Sequence, residues 1–217
     1  LGIKLLRPDI DRSDVDFTIE ELDHADLVDP AISHRRGIRF GLAGIKNVGQ
    51  ASVEAILRGR GDRPFESLED LCRRVDMRAV GKRALESLVR VGALDRYGPR
   101  GSLLAAVDRL MSASSTHFQA AEVGQLSLFG DGPSGSGEAV RIALPEAPEV
   151  GVEQLQWEKE LLGLYITAHP LVAAAPTVAD HVTAMIGGID GSMAGQPVTV
   201  AGVVTSIRHL TTRKGEA

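Results

Sequence analysis

Leu42-Ala43-Gly44-Ile45-Lys46-Asn47-Val48-Gly49-Gln50-Ala51 is the stretch that sets the architecture of this chain. Gly44 and Gly49 permit a tight turn and a close backbone approach, and Ile45 and Val48 are apolar plugs for a helical core. Beyond the turn, Gly49 to Arg60 places Val53, Ile56 and Leu57 on one helical face. A helix that starts directly at a turn presents its first N–H groups without partners, and their partial positive charge joins the full charge of Lys46. That combination is a seat for a phosphate, and it reads the nucleic-acid backbone rather than the base sequence. A glycine-bearing turn between helices with no ligand would use the same residues, so the surrounding chain has to separate the two readings.

The decapeptide resembles the hairpin of a helix-hairpin-helix motif. A degenerate second copy is expected at Met77-Arg78-Ala79-Val80-Gly81-Lys82-Arg83, again just before a helix. It lacks the first glycine of the pattern, and an ordinary basic helix start is the competing reading. As a pair, the hairpins would present Lys46, Arg78, Lys82 and Arg83 to one duplex, with Gly44, Ile45, Asn47 and Gly49 shaping the first contact. Further helices are predicted over Ser67 to Arg74, with Leu68 and Leu71 together, and over Gly81 to Val91, with Leu85, Leu88 and Val89 together. Another covers Gly101 to Met111, with Leu103, Leu104, Val107 and Leu110, and closes the core before the polar run Ser112-Ala113-Ser114-Ser115-Thr116. Upstream, alternation over Val15 to Ile19 and Gly37 to Leu42 predicts a two-stranded ribbon. Charge is uneven: the chain carries a net −5, yet residues 35–100 hold fifteen Lys or Arg against eight Asp or Glu. A basic block inside an acidic protein favours a polyanion contact there, although a solvated helical surface is the blander source.

Gly130 to Gly137 is built almost wholly of Gly, Ser, Pro and Asp, too polar to bury a core, so residues 124–150 read as a flexible linker. At its head stands Gln125-Leu126-Ser127-Leu128-Phe129, between Gly124 and Gly130. An apolar cluster in such a linker is either a staple returning to its own domain or an anchor for another protein's pocket. Beyond it a helix is predicted from Val152 to Leu162, with Val152, Leu155 and Leu162 on one stripe and Gly163 as its stop. Trp157 and Tyr165 are expected to pack that helix against the domain rather than stack on bases. A short helix at Thr177 to Met185 follows, and Val198 to Ile207 is β in composition, a lone strand without a sheet.

The remaining chemistry is sparse. Cys72, the single cysteine, sits at a helical core position and makes neither an internal disulfide nor a cysteine-based zinc site, which suits a reducing cytoplasm. No run reaches the roughly 18 apolar residues of a membrane span, and no leader pattern opens the chain. His24, His34, His117, His169, His181 and His209 are scattered without ligand spacing, and no Walker-type lysine loop is present. Asp9, Asp11, Asp14 and Asp16 lack the pattern of a calcium loop and read as solvated turn residues. No catalytic, metal or cofactor residue is therefore assigned. The start at Leu1 and the stop after a strand-like run read as the cut ends of a longer protein.

Taken in order, the motifs resemble the C-terminal half of the bacterial C-family replicative DNA polymerases. Arg39 to Gly49, Pro64-Phe65-Glu66-Ser67-Leu68-Glu69-Asp70-Leu71, and Lys82 to Leu88 with Gly92-Ala93-Leu94-Asp95 are similar to that family's tandem helix-hairpin-helix region. Trp157 to Tyr165 with Ala168-His169-Pro170-Leu171 is similar to its next block. Val200 to Val204, followed by Thr211 to Gly215, resembles the opening strand and turn of its oligonucleotide-binding (OB) fold. Gln-Leu-x-Leu-Phe resembles the peptide with which bacterial replication proteins hook onto the sliding clamp. That likeness implies Gln125 as a polar positioner and Leu128 and Phe129 as pocket fillers, with Leu126 in the same apolar cluster.

The implied fold is mainly α: a tandem helix-hairpin-helix domain with a small β-ribbon, a disordered linker and the truncated start of an OB-fold β-barrel. Its parts would be the end of a fingers-like region with the ribbon (1–40), the hairpin domain (41–123), the linker with the clamp peptide (124–150), a helical connector (151–186) and the OB start (187–217). The implied parent is a cytoplasmic DNA-directed DNA polymerase, with Mg2+ held by carboxylates upstream of this chain and no cofactor within it. Its implied partners are primer-template duplex, the sliding clamp and other replicase subunits, without a membrane. Two rivals stand beside this reading: a nonenzymatic repair scaffold with paired hairpins and a clamp peptide, and the error-prone relative of the same polymerase family.

Overall fold

Apolar residues at helical spacing, punctuated by glycine, build most of what the computed structural model describes, namely residues 3–22, 35–122, 142–148, 150–167, 176–184, 186–202 and 204. The fold divides into two units, 1–167 and 168–217. In the first, helices α1 (Gln50–Arg60), α2 (Leu68–Arg74), α3 (Met77–Val80), α4 (Lys82–Arg90), α5 (Arg100–Glu122) and α6 (Val152–Leu162) surround one core. Leu42, Ile45, Ile56, Leu71, Leu85, Leu88, Leu94, Leu103 and Leu110 are fully buried in it, each contributing about 1.5–3 kcal/mol relative to exposure. The helical stretches read from the sequence are present, with the Ser67 hydroxyl capping α2 by accepting from Asp70 N at 3.2 Å. Gly163 ends α6 in the left-handed region at φ +78. Trp157 packs on the core with Arg90 over its ring, 5.9 Å from the centroid.

Helix α5 departs from the sequence reading. Expected to stop at Met111, it runs through the polar stretch to Glu122. Ser114 explains this: its buried hydroxyl donates to Val75 O at 2.8 Å and accepts from Met77 N at 3.0 Å. The serine satisfies two backbone groups at the α2–α3 junction, so the polar run is an interior contact rather than a helix end.

The ribbon is a three-stranded sheet instead of a two-stranded one. Strand β1 (Lys4–Leu6) runs parallel to β3 (Arg36–Arg39), with Leu5 opposite Ile38, and β2 (Thr18–Glu21) runs antiparallel to β3, with Ile19 opposite Ile38. Three residues are too few for alternation to reveal β1. Val15, expected within a strand, lies before β2 and uses its carbonyl to hold Ala43 N at 3.1 Å, beside the Leu42 N to Asp14 O bond of 2.9 Å. The N-terminal turn is thus stitched to the hairpin.

Of the acidic turn read as solvated, Asp14 and Asp16 are exposed, and Asp11 differs. Asp11 keeps only 3% side-chain exposure. Its Oδ1 accepts from Phe65 N at 2.7 Å and its Oδ2 accepts from Tyr97 OH at 2.8 Å. These partners lie far along the chain, where no local pattern reveals them.

After α5 the described chain resumes at Ile142, whose N–H donates to Glu69 Oε1 at 2.7 Å, while Ala143 O accepts from Arg109 Nη1 at 3.0 Å. Leu161 and Leu162 of α6 then enter the core. In the second unit the expected helix at 177–185 contains the 3-10 turn Ala179–His181. Residues 198–202 and 204 of the expected strand are not in a strand; Thr199 O accepts from Thr183 N and Ala184 N at 3.0 and 3.4 Å, a contact too local to make a ladder. No described helix is long and apolar enough to cross a membrane.

Candidate nucleic-acid interface

Each predicted hairpin segment leads directly into a helix, and the two differ in how they are built. In the first, a 3-10 turn over Leu42–Gly44 leads to buried Ile45 and Val48, with Lys46 and Gly49 exposed. The left-handed residue here is Asn47, at φ +70, rather than either glycine. Gly44 is small for packing: a Cβ there would come within 2.8 Å of the Phe40 ring. Asn47 turns its side chain inward, donating from Nδ2 to Ser87 Oγ at 3.2 Å, so its amide braces the hairpin against α4. Lys46 N donates to Leu161 O at 2.9 Å, which ties the hairpin to the end of α6.

Gly49 is the N-cap of α1 at φ −80 and ψ 165, with no side-chain cap, and nothing lies within 4 Å of where its Cβ would be. Neither strain nor crowding requires a glycine here. Its absent side chain leaves the N–H groups of Gly49, Gln50 and Ala51 open, and they find no acceptor among the described residues.

In the second hairpin, α3 is a single turn capped by Asp76, whose Oδ1 accepts from Arg78 N at 3.0 Å. Gly81 then turns at φ +81, where any side chain is strained, and is the N-cap of α4 without a side-chain cap. Lys82, Arg83 and Ala84 N–H likewise find no acceptor among the described residues. The hairpins are joined through the core, where buried Ser52 of α1 donates to Val80 O at 2.8 Å.

The cations differ in availability. Lys46 and Arg83 are exposed, and no carboxylate among the described residues lies within ion-pair reach of either. Arg78 is bound to Asp76 at 2.7 Å and to Glu122 at 2.6 Å, and Lys82 Nζ to Asp108 at 2.7 Å. The hydrogen bond to Asp108 holds the Lys82 ammonium above its ordinary value, and those to Asp76 and Glu122 do the same for Arg78. Much of the basic excess is spent inside the fold. Arg39 pairs with Glu20 at 2.7 Å, Arg60 donates to Ser13 O at 2.6 Å, and Arg100 lies 2.8 Å from Asp95. Arg74 donates to Asp70 and to the carbonyls of Gly59, Arg60, Pro64 and Arg63. Net charge could not separate these carbonyl-holding arginines from surface ones.

No group of His, Cys, Asp or Glu among the described residues is placed to hold a metal ion. Burial pushes the Cys72 thiol up to about 12, so it is no nucleophile at neutral pH. Gln125, Leu126, Leu128 and Phe129 lie outside the described residues.

Two turns, each feeding a helix whose first amides find no acceptor among the described residues, are the arrangement of a helix-hairpin-helix motif. The model of the helix-hairpin-helix motif family matches residues 2–103. Over 99% of its length the chain is 34% identical to DNA polymerase III subunit alpha of Vibrio cholerae, and likewise 35% to that of Thermus aquaticus and 30% to that of Escherichia coli K12. Nearly the whole chain therefore aligns with one segment of these DNA polymerase III alpha subunits. It spans 18%, 16% and 18% of those three relatives, less than a fifth of each.

Proposed function

We propose that this chain is the part of a replicative DNA-directed DNA polymerase that holds duplex DNA and tethers the enzyme to the sliding clamp. The observation that carries it is the pair of glycine-capped helices α1 and α4, whose first N–H groups, like Lys46 and Arg83, have no partner among the described residues. Each helix start receives a backbone phosphate, and the cations neutralise it without reading bases. Gly44, Ile45 and Asn47 shape and brace the first seat; Arg78 and Lys82 belong to the second. Polymerisation and its Mg2+ are assigned to carboxylates of the parent protein outside this chain. Residues 124–150 carry the hook, with Gln125 positioning and Leu126, Leu128 and Phe129 entering the clamp's pocket. Residues 187–217 open an OB fold, and other replicase subunits in the cytoplasm complete the set of partners.

Tethering acts through effective concentration, about millimolar for short flexible linkers, so each slip from DNA is followed by an intramolecular return. Duplex binding followed by fluorescence anisotropy tests the grip. Lys46→Ala and Arg83→Ala each weaken binding across all sequences and lower the salt slope by about one. Unaltered affinity and slope in both variants would sink the phosphate reading. For the hook, Leu128→Ala with Phe129→Ala abolishes capture by the bacterial sliding clamp while leaving duplex binding unchanged.

A further inference from the structure

The second hairpin is already occupied, and by carboxylates of the protein itself. Lys82 Nζ lies 2.7 Å from Asp108 Oδ1, and Arg78 Nη2 lies 2.6 Å from Glu122 Oε1. Both acids belong to α5, and their separation of fourteen positions makes about four turns, which puts them on one face of that helix. A carboxylate offers a lysine or arginine the same acceptor oxygens as a phosphate, so α5 and a DNA backbone compete for the same donors. Exposed pairs of this kind are weak and exchange readily. The first hairpin has no such partner, since Lys46 is unpaired among the described residues.

We propose that Asp108 and Glu122 set how DNA contact is divided between the two hairpins. They hold Lys82 and Arg78 until a DNA backbone displaces them, leaving Lys46, Arg83 and the open amides of α1 as the resident grip. The proposal rests on the duplex-binding function above. A phosphate that takes Lys82 or Arg78 must release a carboxylate, so these cations add little net charge on binding and the grip stays loose enough to move along the duplex.

Anisotropy of a labelled duplex across a salt series tests this with the chain as it stands. Asp108→Asn with Glu122→Gln keeps side-chain size and removes both α5 competitors, which frees Lys82 and leaves Arg78 with Asp76 alone. Asp62→Asn with Glu153→Gln is the control: both acids are exposed, neither pairs with a hairpin cation, and the change in net charge is the same. The first pair should raise affinity on the order of three- to tenfold at low salt and steepen the salt slope by about one, since each added phosphate contact contributes about 0.9 and Lys82 is the cation left without a carboxylate. The control should leave the slope unchanged. Adding Lys82→Ala and Arg78→Ala to the first pair should cancel its gain.

An equal gain in both pairs, or a gain with no change of slope, overturns the proposal, because the acids would then act only through net charge. Duplex binding that depends on Lys46 but ignores Asp108 and Glu122 overturns it while the duplex-binding function stands. No duplex binding by any variant overturns both.

Discussion

Gly49 and Gly81 occupy equivalent places and are glycines for different reasons. Gly81 turns at φ +81, whereas Gly49 has an ordinary helix-cap conformation with open space around it. Serine is a good residue for the Gly49 geometry, because its hydroxyl would accept from one of the open amides of α1. Gly49→Ser should therefore raise or preserve the melting temperature, by the few tenths of a kcal/mol that separate the two caps, and at the same time weaken duplex binding. Lower stability together with unchanged affinity would show that these amides are not where DNA sits. Gly81→Ser should instead destabilise, through strain at positive φ, by about 1 kcal/mol or more. The sequence revealed that both positions are turns before helices. It could not tell a glycine kept for conformation from one kept for access, nor show that Asn47 supplies the left-handed residue of the first turn, since these depend on dihedral angles and neighbours.

At the scale of elements, apolar spacing located α1, α2, α4 and α6 because each buries one stripe. It failed for the second half of α5, where the buried group is a serine. Ser114→Ala leaves Val75 O and Met77 N without their shared partner in the interior and should cost about 2 kcal/mol, read as a lower midpoint in urea with an unchanged slope. A loss below about 0.5 kcal/mol would mean that the helix end is held by other contacts. Helix α6 has a second task that composition could not disclose: its terminal carbonyl at Leu161 accepts the Lys46 amide. Fully buried Glu158 organises the turn that follows, accepting from Ile166 N at 2.8 Å and Thr167 N at 3.0 Å. Helix α6 thus supports the first hairpin, whose left-handed residue is Asn47.

For the whole molecule, buried carboxylates decide the response to acid. Burial alone would raise the Asp70 carboxyl, but the Glu66 N–H, the hydrogen bond and charge of Arg74, and the charge of Arg63 outweigh it and hold the group below its usual range. Asp76 is lowered chiefly by its hydrogen bond to Arg78. A group depressed by folding contributes stability that is present above its unfolded value, near pH 4, and is lost as pH falls through its folded value. Stability to urea should be independent of pH near neutrality, where these groups contribute fully, and should fall below about pH 4. Asp70→Asn should be less stable at pH 7 and show a shallower acid limb; an identical limb would remove Asp70 from the account. Segment order was legible in the sequence at this scale, while the joins were not: Asp11 to Tyr97 and Phe65, and Ile142 to Glu69, link residues with no pattern in common.

The rejoining of the chain at Ile142 bears on what a protease would accomplish. Residues from Ile142 onward return to the helices before Glu122, through Glu69, Arg109 and the positions of Leu161 and Leu162 in the shared interior. A recognition site engineered between Glu122 and Ile142 and then cleaved should give two polypeptides that elute as one particle and part only in denaturant. Neither piece would have a finished interior alone. The continuity of the polypeptide and the continuity of the fold would then be separate properties: a cut there would leave the helical core assembled around the break.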